Sequence, residues 1–217
     1  MKWTNQISDE TLELLQPYTD WFFSQDLTKL EERIDEKRAG DYNIETATNE
    51  DYLNMIVKKD GEHIGYPEHT RSIDILMDGR TPSEHREKCQ TLNQEVVSYL
   101  GARNQAVQVY YPANGFMSWH NNWNAHGYNI LLSYTKTGNG FFKYRDPLTH
   151  EIVTMEDKPG WGCKVGYYGR GREPDKVYYH CAGAYEDRIT LGFVIPNVDM
   201  WRNMIEDISG EDASMFS

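Results

Sequence analysis

The apolar positions divide the chain into two regimes. From Ser8 to about Arg38, Leu12 and Leu15 share a helical face, and Trp21, Phe22, Leu27, Leu30 and Ile34 follow at roughly helical spacing. The stretch predicts helix, with Pro17 ending its first part or opening a second one. The charges of Glu31, Glu32, Arg33, Asp35, Glu36, Lys37 and Arg38 read as a solvated face. Gly40 to Asn49 predicts a loop, and Ile73 to Met77 a short strand before an Asp78-Gly79 turn. Another helix follows, with Thr81 as N-cap, Pro82 at its first position and Glu84 completing a capping box. Cys89, Leu92, Val96 and Leu100 form its apolar stripe and Gly101 its stop.

Beyond Asn104 the period shortens. Eight strands are predicted: Ala106–Tyr111, Phe116–His120, Tyr128–Tyr134, Gly140–Tyr144, Glu151–Met155, Gly162–Tyr168, Lys176–Cys181 and Arg188–Ile195. The turns between them carry Gly, Pro, Asn and Asp, as in Pro112-Ala113-Asn114-Gly115 and Thr137-Gly138-Asn139-Gly140. Short strands at this spacing point to a sandwich or barrel. Val198 to Ile208 predicts a closing helix, and Ser209 to Ser217 a frayed tail. The 217 residues suit one domain: a helical support over residues 1–101, a β core over 104–197 and the helix at 198–208.

Composition narrows the function. The formal charge of -12 fits poorly with a sequence-independent grip on phosphate backbones, so strong nucleic-acid binding is not expected. Cys89, Cys163 and Cys181 are odd in number, widely spaced and free of C-x-x-C, which reads as reduced thiols in an intracellular, cytoplasmic protein. The first ten residues carry no signal-peptide pattern, and no apolar run approaches the ~20 residues of a membrane span.

Two histidines stand out at strand ends, His120 and His180, with Arg188 and Thr190 beyond the second. A non-haem Fe(II) oxygenase holds its metal by two histidines and a carboxylate on one face and leaves the other positions open. An oxo-acid cosubstrate then needs an opposing cation. Arg188 suits bidentate carboxylate recognition, and Thr190, two residues on along the same strand, points the same way.

On these residues the chain resembles the Fe(II)/2-oxoglutarate-dependent dioxygenases of the double-stranded β-helix (jelly-roll, cupin-like) fold. It is most like the small prolyl-hydroxylase-like members, including those encoded by bacteriophages. The resemblance spans roughly Ala106 to Pro196. It implies Fe(II) bound by His120 and His180, and 2-oxoglutarate held by Arg188 and Thr190. Tyr111, nine positions before His120, is implied as a further cosubstrate contact. The family's helper tyrosine three before the histidine is Met117 here. The implied reaction consumes O2 and hydroxylates a C–H bond, with 2-oxoglutarate decarboxylated to succinate.

The departure is at the carboxylate. The family's His-x-Asp is His120-Asn121-Asn122, with a neutral amide third. Three readings follow in order of preference. Asn122 ligates through its oxygen; or the position stays open, as in the halogenating branch; or another group such as Asp146 or a water completes the shell. Two competing classes stand beside the oxygenase: a non-catalytic jelly roll with a decayed metal site, and a zinc hydrolase using His120, His126 and His180. Arg188 has a plain alternative in surface pairing with Glu186 or Asp187. His63, His69 and His85 read as surface or loop histidines, and Cys89 as core filling. Trp119, Trp123 and Trp161 read as core or rim. The substrate is left open among small molecules, peptides and nucleobases. Its loops are expected at residues 62–71, 121–128 and 169–175, the last carrying Arg170 and Arg172.

Overall fold

The computed structural model describes residues 2–4, 6–59, 65–122, 126–169 and 173–210. The chain begins with a short strand β1 (Lys2–Thr4) and helix α1 (Asp9–Ser24), whose N-cap Ser8 accepts the amide N–H of Thr11. Pro17 lies inside α1 rather than at a break. Two short helices, α2 (Thr28–Glu31) and α3 (Ile44–Ala47), come next, then α4 (Glu50–Lys59). The loop expected over residues 40–49 is thus partly α3. Its Asn43 cap and Thr46 form a reciprocal capping pair that helical periodicity does not register over four residues.

Strands β2 (Thr70–Arg71) and β3 (Ile73–Asp74) lead to the long helix α5 (Ser83–Leu100). The expected strand over residues 73–77 stops early because the Asp74 carboxylate accepts the backbone N–H groups of Leu76 and Met77 and turns the chain. The expected Thr81 cap is also displaced. Pro82 occupies the cap position with no side-chain hydrogen bond, and the Thr81 hydroxyl donates to the carbonyl of Asp74. The stripe of α5 is buried as its spacing predicts, and Gly101 ends the helix in the left-handed region.

The β core comprises β4 (Asn104–Tyr111), β5 (Gly115–Asn121), β6 (Gly127–Thr135), β7 (Gly140–Arg145), β8 (Ile152–Glu156), β9 (Gly160–Tyr168), β10 (Tyr179–Ala184) and β11 (Arg188–Ile195). The seventh predicted strand starts late, because Pro174–Lys176 form a 3-10 turn. Two antiparallel sheets result, in the orders β1-β9-β6-β11-β4-β3 and β2-β5-β10-β7-β8. Consecutive strands mostly pass from one sheet to the other, and β10 and β11 return to the centres of opposite sheets. This is a jelly roll, the double-stranded β-helix. Helix α6 (Val198–Ser209) joins α1 and α5 on the outer face of the larger sheet.

The main core lies between those helices and that sheet. Leu15, Phe22, Leu92, Val96, Ile189 and Phe193 meet there, and all are nearly inaccessible. Burial of such side chains contributes roughly 1.5–3 kcal/mol each. His85 belongs to this core and not to the surface: it packs on Trp21 and Phe22, and burial lowers its pKa. The three cysteines are buried and free. No helix among the described residues is long and apolar enough to cross a membrane.

Candidate functional site

The space between the two sheets is smaller and more polar than the helix-side core. Strand alternation sends Val109 and Tyr111 of β4, Arg188 and Thr190 of β11, and Ser133 of β6 into it. The opposing sheet contributes His120 of β5 and His180 of β10. These two strands are paired in register, with His120 and His180 as direct cross-strand partners, and the imidazole centroids lie 4.3 Å apart.

Each imidazole is fixed by a carbonyl two residues before it in the chain. His120 Nδ1 lies 2.8 Å from the carbonyl oxygen of Ser118, and His180 Nδ1 lies 3.1 Å from that of Tyr178. A ring nitrogen facing a carbonyl carries the proton, which leaves the Nε2 lone pair for a ligand. Burial pushes the His120 pKa down to about 4, with the Ser118 carbonyl opposing. Burial, then the neighbouring His120, lowers His180 as well. Both rings are therefore neutral at physiological pH, the form that binds metal. The rings of Phe142 and Tyr168 stack on His180, with centroids 5.4 and 5.1 Å away.

Asn122 follows at the end of β5, its Nδ2 3.3 Å from His180 Nε2. Two imidazole nitrogens and, on rotation of the Asn122 carboxamide, an amide oxygen are neutral donors of types that ligate divalent metals. No group of three His, Cys, Asp or Glu side chains among the described residues is arranged to hold a metal ion. That finding removes two expectations. His126 does not join His120 and His180 in a zinc-like trio. Asp146 does not complete the shell either; its carboxylate accepts the N–H groups of Leu148 and Thr149 and shapes the β7–β8 turn.

Arg188 lies elsewhere in the same interior, 1% exposed. Its acidic neighbours do not pair with it. Glu186 accepts the N–H groups of Thr137 and Asn139 in the β6–β7 turn, and Asp187 accepts the Tyr110 hydroxyl. Arg188 Nε instead donates to Asp157 Oδ2 at 2.7 Å, Nη1 to Thr190 Oγ1 at 2.6 Å and Nη2 to Ser133 Oγ at 3.3 Å. The Tyr111 ring covers the guanidinium at 5.2 Å. Asp157 also accepts from Lys164 Nζ at 2.7 Å. Burial alone would raise the Asp157 pKa, but Arg188 and Lys164 outweigh it and bring it down to about 2. Gly140 is needed beside this carboxylate, since a Cβ there would lie 2.7 Å from Asp157 Oδ2.

The histidine pair and Arg188 line one inner chamber of about 40 Å3 together with Tyr111, Leu131 and Met117. That is room for a few waters at roughly 10–15 Å3 each, so a five-carbon dicarboxylate requires side chains to move. Met117, with three rotatable bonds, is the most adaptable of the wall. A cleft of about 880 Å3 adjoins the chamber, sharing His120, Asn122, Met117 and Val107 and opening past Thr70, Tyr66 and Met77.

Sequence reasoning brings together Tyr111, His120, Asn122, His180, Arg188 and Thr190, and the fold turns all six towards this interior. It misses Ser133, Asp157, Lys164 and Tyr168. Ser133 and Lys164 carry the alternation signal of inward strand positions, while Asp157, in a connection, carries none. Of the expected substrate loops, residues 62–64, 123–125 and 170–172 lie outside the described residues, as do His63, Trp123, Arg170 and Arg172. Trp119 and Trp161 are core, as expected.

No protein-family model matches the chain, and no curated protein matches it. Among solved structures it is similar to the crystal structure of a Pseudomonas putida prolyl-4-hydroxylase. The two are 16% identical, with 58% of this chain and 67% of that chain covered at a TM-score of 0.31. The fold assignment here rests on the strand order of the two sheets.

Proposed function

We propose that the protein is an Fe(II)/2-oxoglutarate-dependent oxygenase that hydroxylates a C–H bond. The observation that carries this reading is one interior holding both halves of the required chemistry. A pair of neutral imidazoles has its Nε2 atoms uncommitted to the backbone, and a buried guanidinium is framed by two hydroxyls and a tyrosine. His120, His180 and the Asn122 amide oxygen hold Fe(II). Arg188, Thr190 and Tyr111, joined by Ser133, bind the far carboxylate of 2-oxoglutarate. Bound iron supplies the activation of O2, coupled to decarboxylation of 2-oxoglutarate to succinate.

The protein's own contribution is positioning and exclusion of water. Phe142 and Tyr168 clamp the His180 ring, the two backbone carbonyls set both tautomers, and the small volume of the chamber limits the water it holds. The wide cleft beyond His120 and Asn122 receives the substrate. The neutral Asn122 also keeps a second reading in view, in which halide takes the place of the missing carboxylate and the transferred group is halogen.

The test is uncoupled turnover. Purified protein with Fe(II), ascorbate and 2-oxoglutarate labelled at C1 is expected to release labelled carbon dioxide above the rate of the His180→Ala variant. Release equal to that variant's sinks the oxygenase reading and leaves a binding protein on the same fold. Chloride dependence of that release would favour the halogenating reading.

A further inference from the structure

Of the described residues whose buried side-chain polar atoms find no hydrogen-bond partner, Tyr168 is the one that lines the inner chamber. It closes β9, and its ring crosses to the other sheet to stack on His180 at 25°, with centroids 5.1 Å apart. The residue is 2% exposed, and its hydroxyl is buried without a partner among the described residues. Burial raises the pKa of the phenol, so it stays a neutral O–H donor. An unmet buried donor is costly to a folded chain. Phenylalanine would fill the same space and stack on the same imidazole without that cost. The Tyr168 oxygen therefore adds nothing to the fold, and what can use it is a ligand in the chamber.

Two placements point to the ligand and to one end of it. His120, Asn122, Met117 and Val107 line both the chamber and the wide cleft, whereas Tyr168, like His180 and Arg188, lines the chamber and not the cleft. Its hydroxyl thus belongs with whatever fills the chamber, not with a substrate in the cleft. Along β6, Arg188 pairs with Thr135 and Tyr168 with Gly127, the two ends of that strand. Tyr168 therefore stands at the end of the sheet away from the arginine. We infer that Tyr168 is a cosubstrate-binding residue: its hydroxyl donates to an oxygen at the oxo-acid end of 2-oxoglutarate beside His180, while Arg188 holds the far carboxylate. The inference takes the identity of the ligand from the oxygenase reading. A hydroxyl donating to a carboxylate makes a charge-assisted hydrogen bond, stronger than one between neutral groups.

The experiment is calorimetric titration of the full chain, first with Mn(II) and then with 2-oxoglutarate at saturating Mn(II), for wild type and Tyr168→Phe. The substitution removes one oxygen and keeps the ring, so the variant is expected to melt with the wild type and to bind Mn(II) equally well. Its affinity for 2-oxoglutarate is expected to fall by about tenfold or more, the effect of losing a hydrogen bond to a charged group. A merely structural tyrosine, acting through the His180 ring, would instead move the melting temperature or the Mn(II) affinity. A variant that binds 2-oxoglutarate as the wild type does overturns the inference, and so does one whose weakened binding is matched by an equal loss of Mn(II) affinity. The oxygenase reading is judged separately, on the wild type. If wild-type binding of 2-oxoglutarate needs Mn(II) and Tyr168→Phe behaves identically, the oxygenase stands and this inference falls. If the folded, Mn(II)-loaded wild type binds no 2-oxoglutarate, the oxygenase reading falls and takes the inference with it.

Discussion

The two ends of the interior chamber are built on opposite principles. At the histidine end every group is neutral: two imidazoles whose charged forms burial suppresses, and an amide where the resembled family has a carboxylate. At the arginine end Arg188, Asp157 and Lys164 are charged and held by one another, with the neutral Thr190, Ser133 and Tyr111 around the guanidinium. The histidine end is local in construction. Each imidazole is oriented by a carbonyl two residues back along the chain, and one cross-strand register brings the pair together. The arginine end is assembled from β6, β9, β11 and the β8–β9 connection. Local construction makes a site tolerant of change elsewhere. Distributed construction ties the site to the stability of the whole fold.

That contrast is broken most forcefully at the charged end. Replacing Asp157 with Asn leaves two buried cations without their carboxylate, a loss expected at roughly 3–5 kcal/mol. Denaturant unfolding measures it; a loss under about 1 kcal/mol would mean water reaches the cluster. His180→Ala is expected to weaken Fe(II) binding by more than about 100-fold, since even outer partners of metal ligands matter by 10–100-fold. It should lower stability far less than Asp157→Asn, and a metal titration beside an unfolding curve checks both.

Asn122→Asp sharpens the comparison by giving the neutral end its missing charge. Divalent metal affinity is expected to rise by about tenfold, read by competition with a metal-sensitive dye. An unchanged affinity would place residue 122 outside the ligand set. Smaller still is the effect of pH. Lys164 is held at about 8 against a usual 10.5, so the unfolded chain binds this proton more tightly than the folded one. Its contribution to stability therefore rises between about pH 8 and 10.5. Asp157 behaves oppositely. Held at about 2 against a usual 3.8, it contributes stability above pH 3.8 that is lost as pH falls towards 2. Melting curves across pH follow both groups. Least of all should Tyr168→Phe matter to stability, because the buried Tyr168 hydroxyl has no hydrogen-bond partner among the described residues. A change within about 0.5 kcal/mol is expected by thermal unfolding.

The same division explains what could be read beforehand. The strands of the β core are legible because alternation and Gly-containing turns recur along residues 104–195, and the chamber's His120, His180, Arg188 and Thr190 lie at strand positions that this alternation orients. Helix α4 escapes because Glu50, Asp51, Lys58 and Lys59 dilute its apolar face, and α3 because it is one turn long. Asp157 escapes for a deeper reason. It sits 31 residues before Arg188 in a connection, and nothing local separates it from an ordinary turn aspartate. Its partner Lys164 lies inside a predicted strand, and nothing in that strand marks the carboxylate beside it. Glu186 and Asp187 mislead in the opposite sense, adjacent to Arg188 in sequence yet engaged with a turn and with Tyr110.

The central claim is that the two unlike ends serve one ligand, chelated at the imidazoles and anchored at the guanidinium. Anaerobic titration of the Fe(II)-loaded protein with 2-oxoglutarate tests it most directly, by following the visible charge-transfer absorption of a chelated oxo-acid. The account predicts a saturable band in the wild type, absent in His180→Ala and shifted to at least tenfold higher 2-oxoglutarate in Arg188→Lys. A folded, iron-loaded protein without the band, or an Arg188→Lys titration that overlays the wild type, would contradict it.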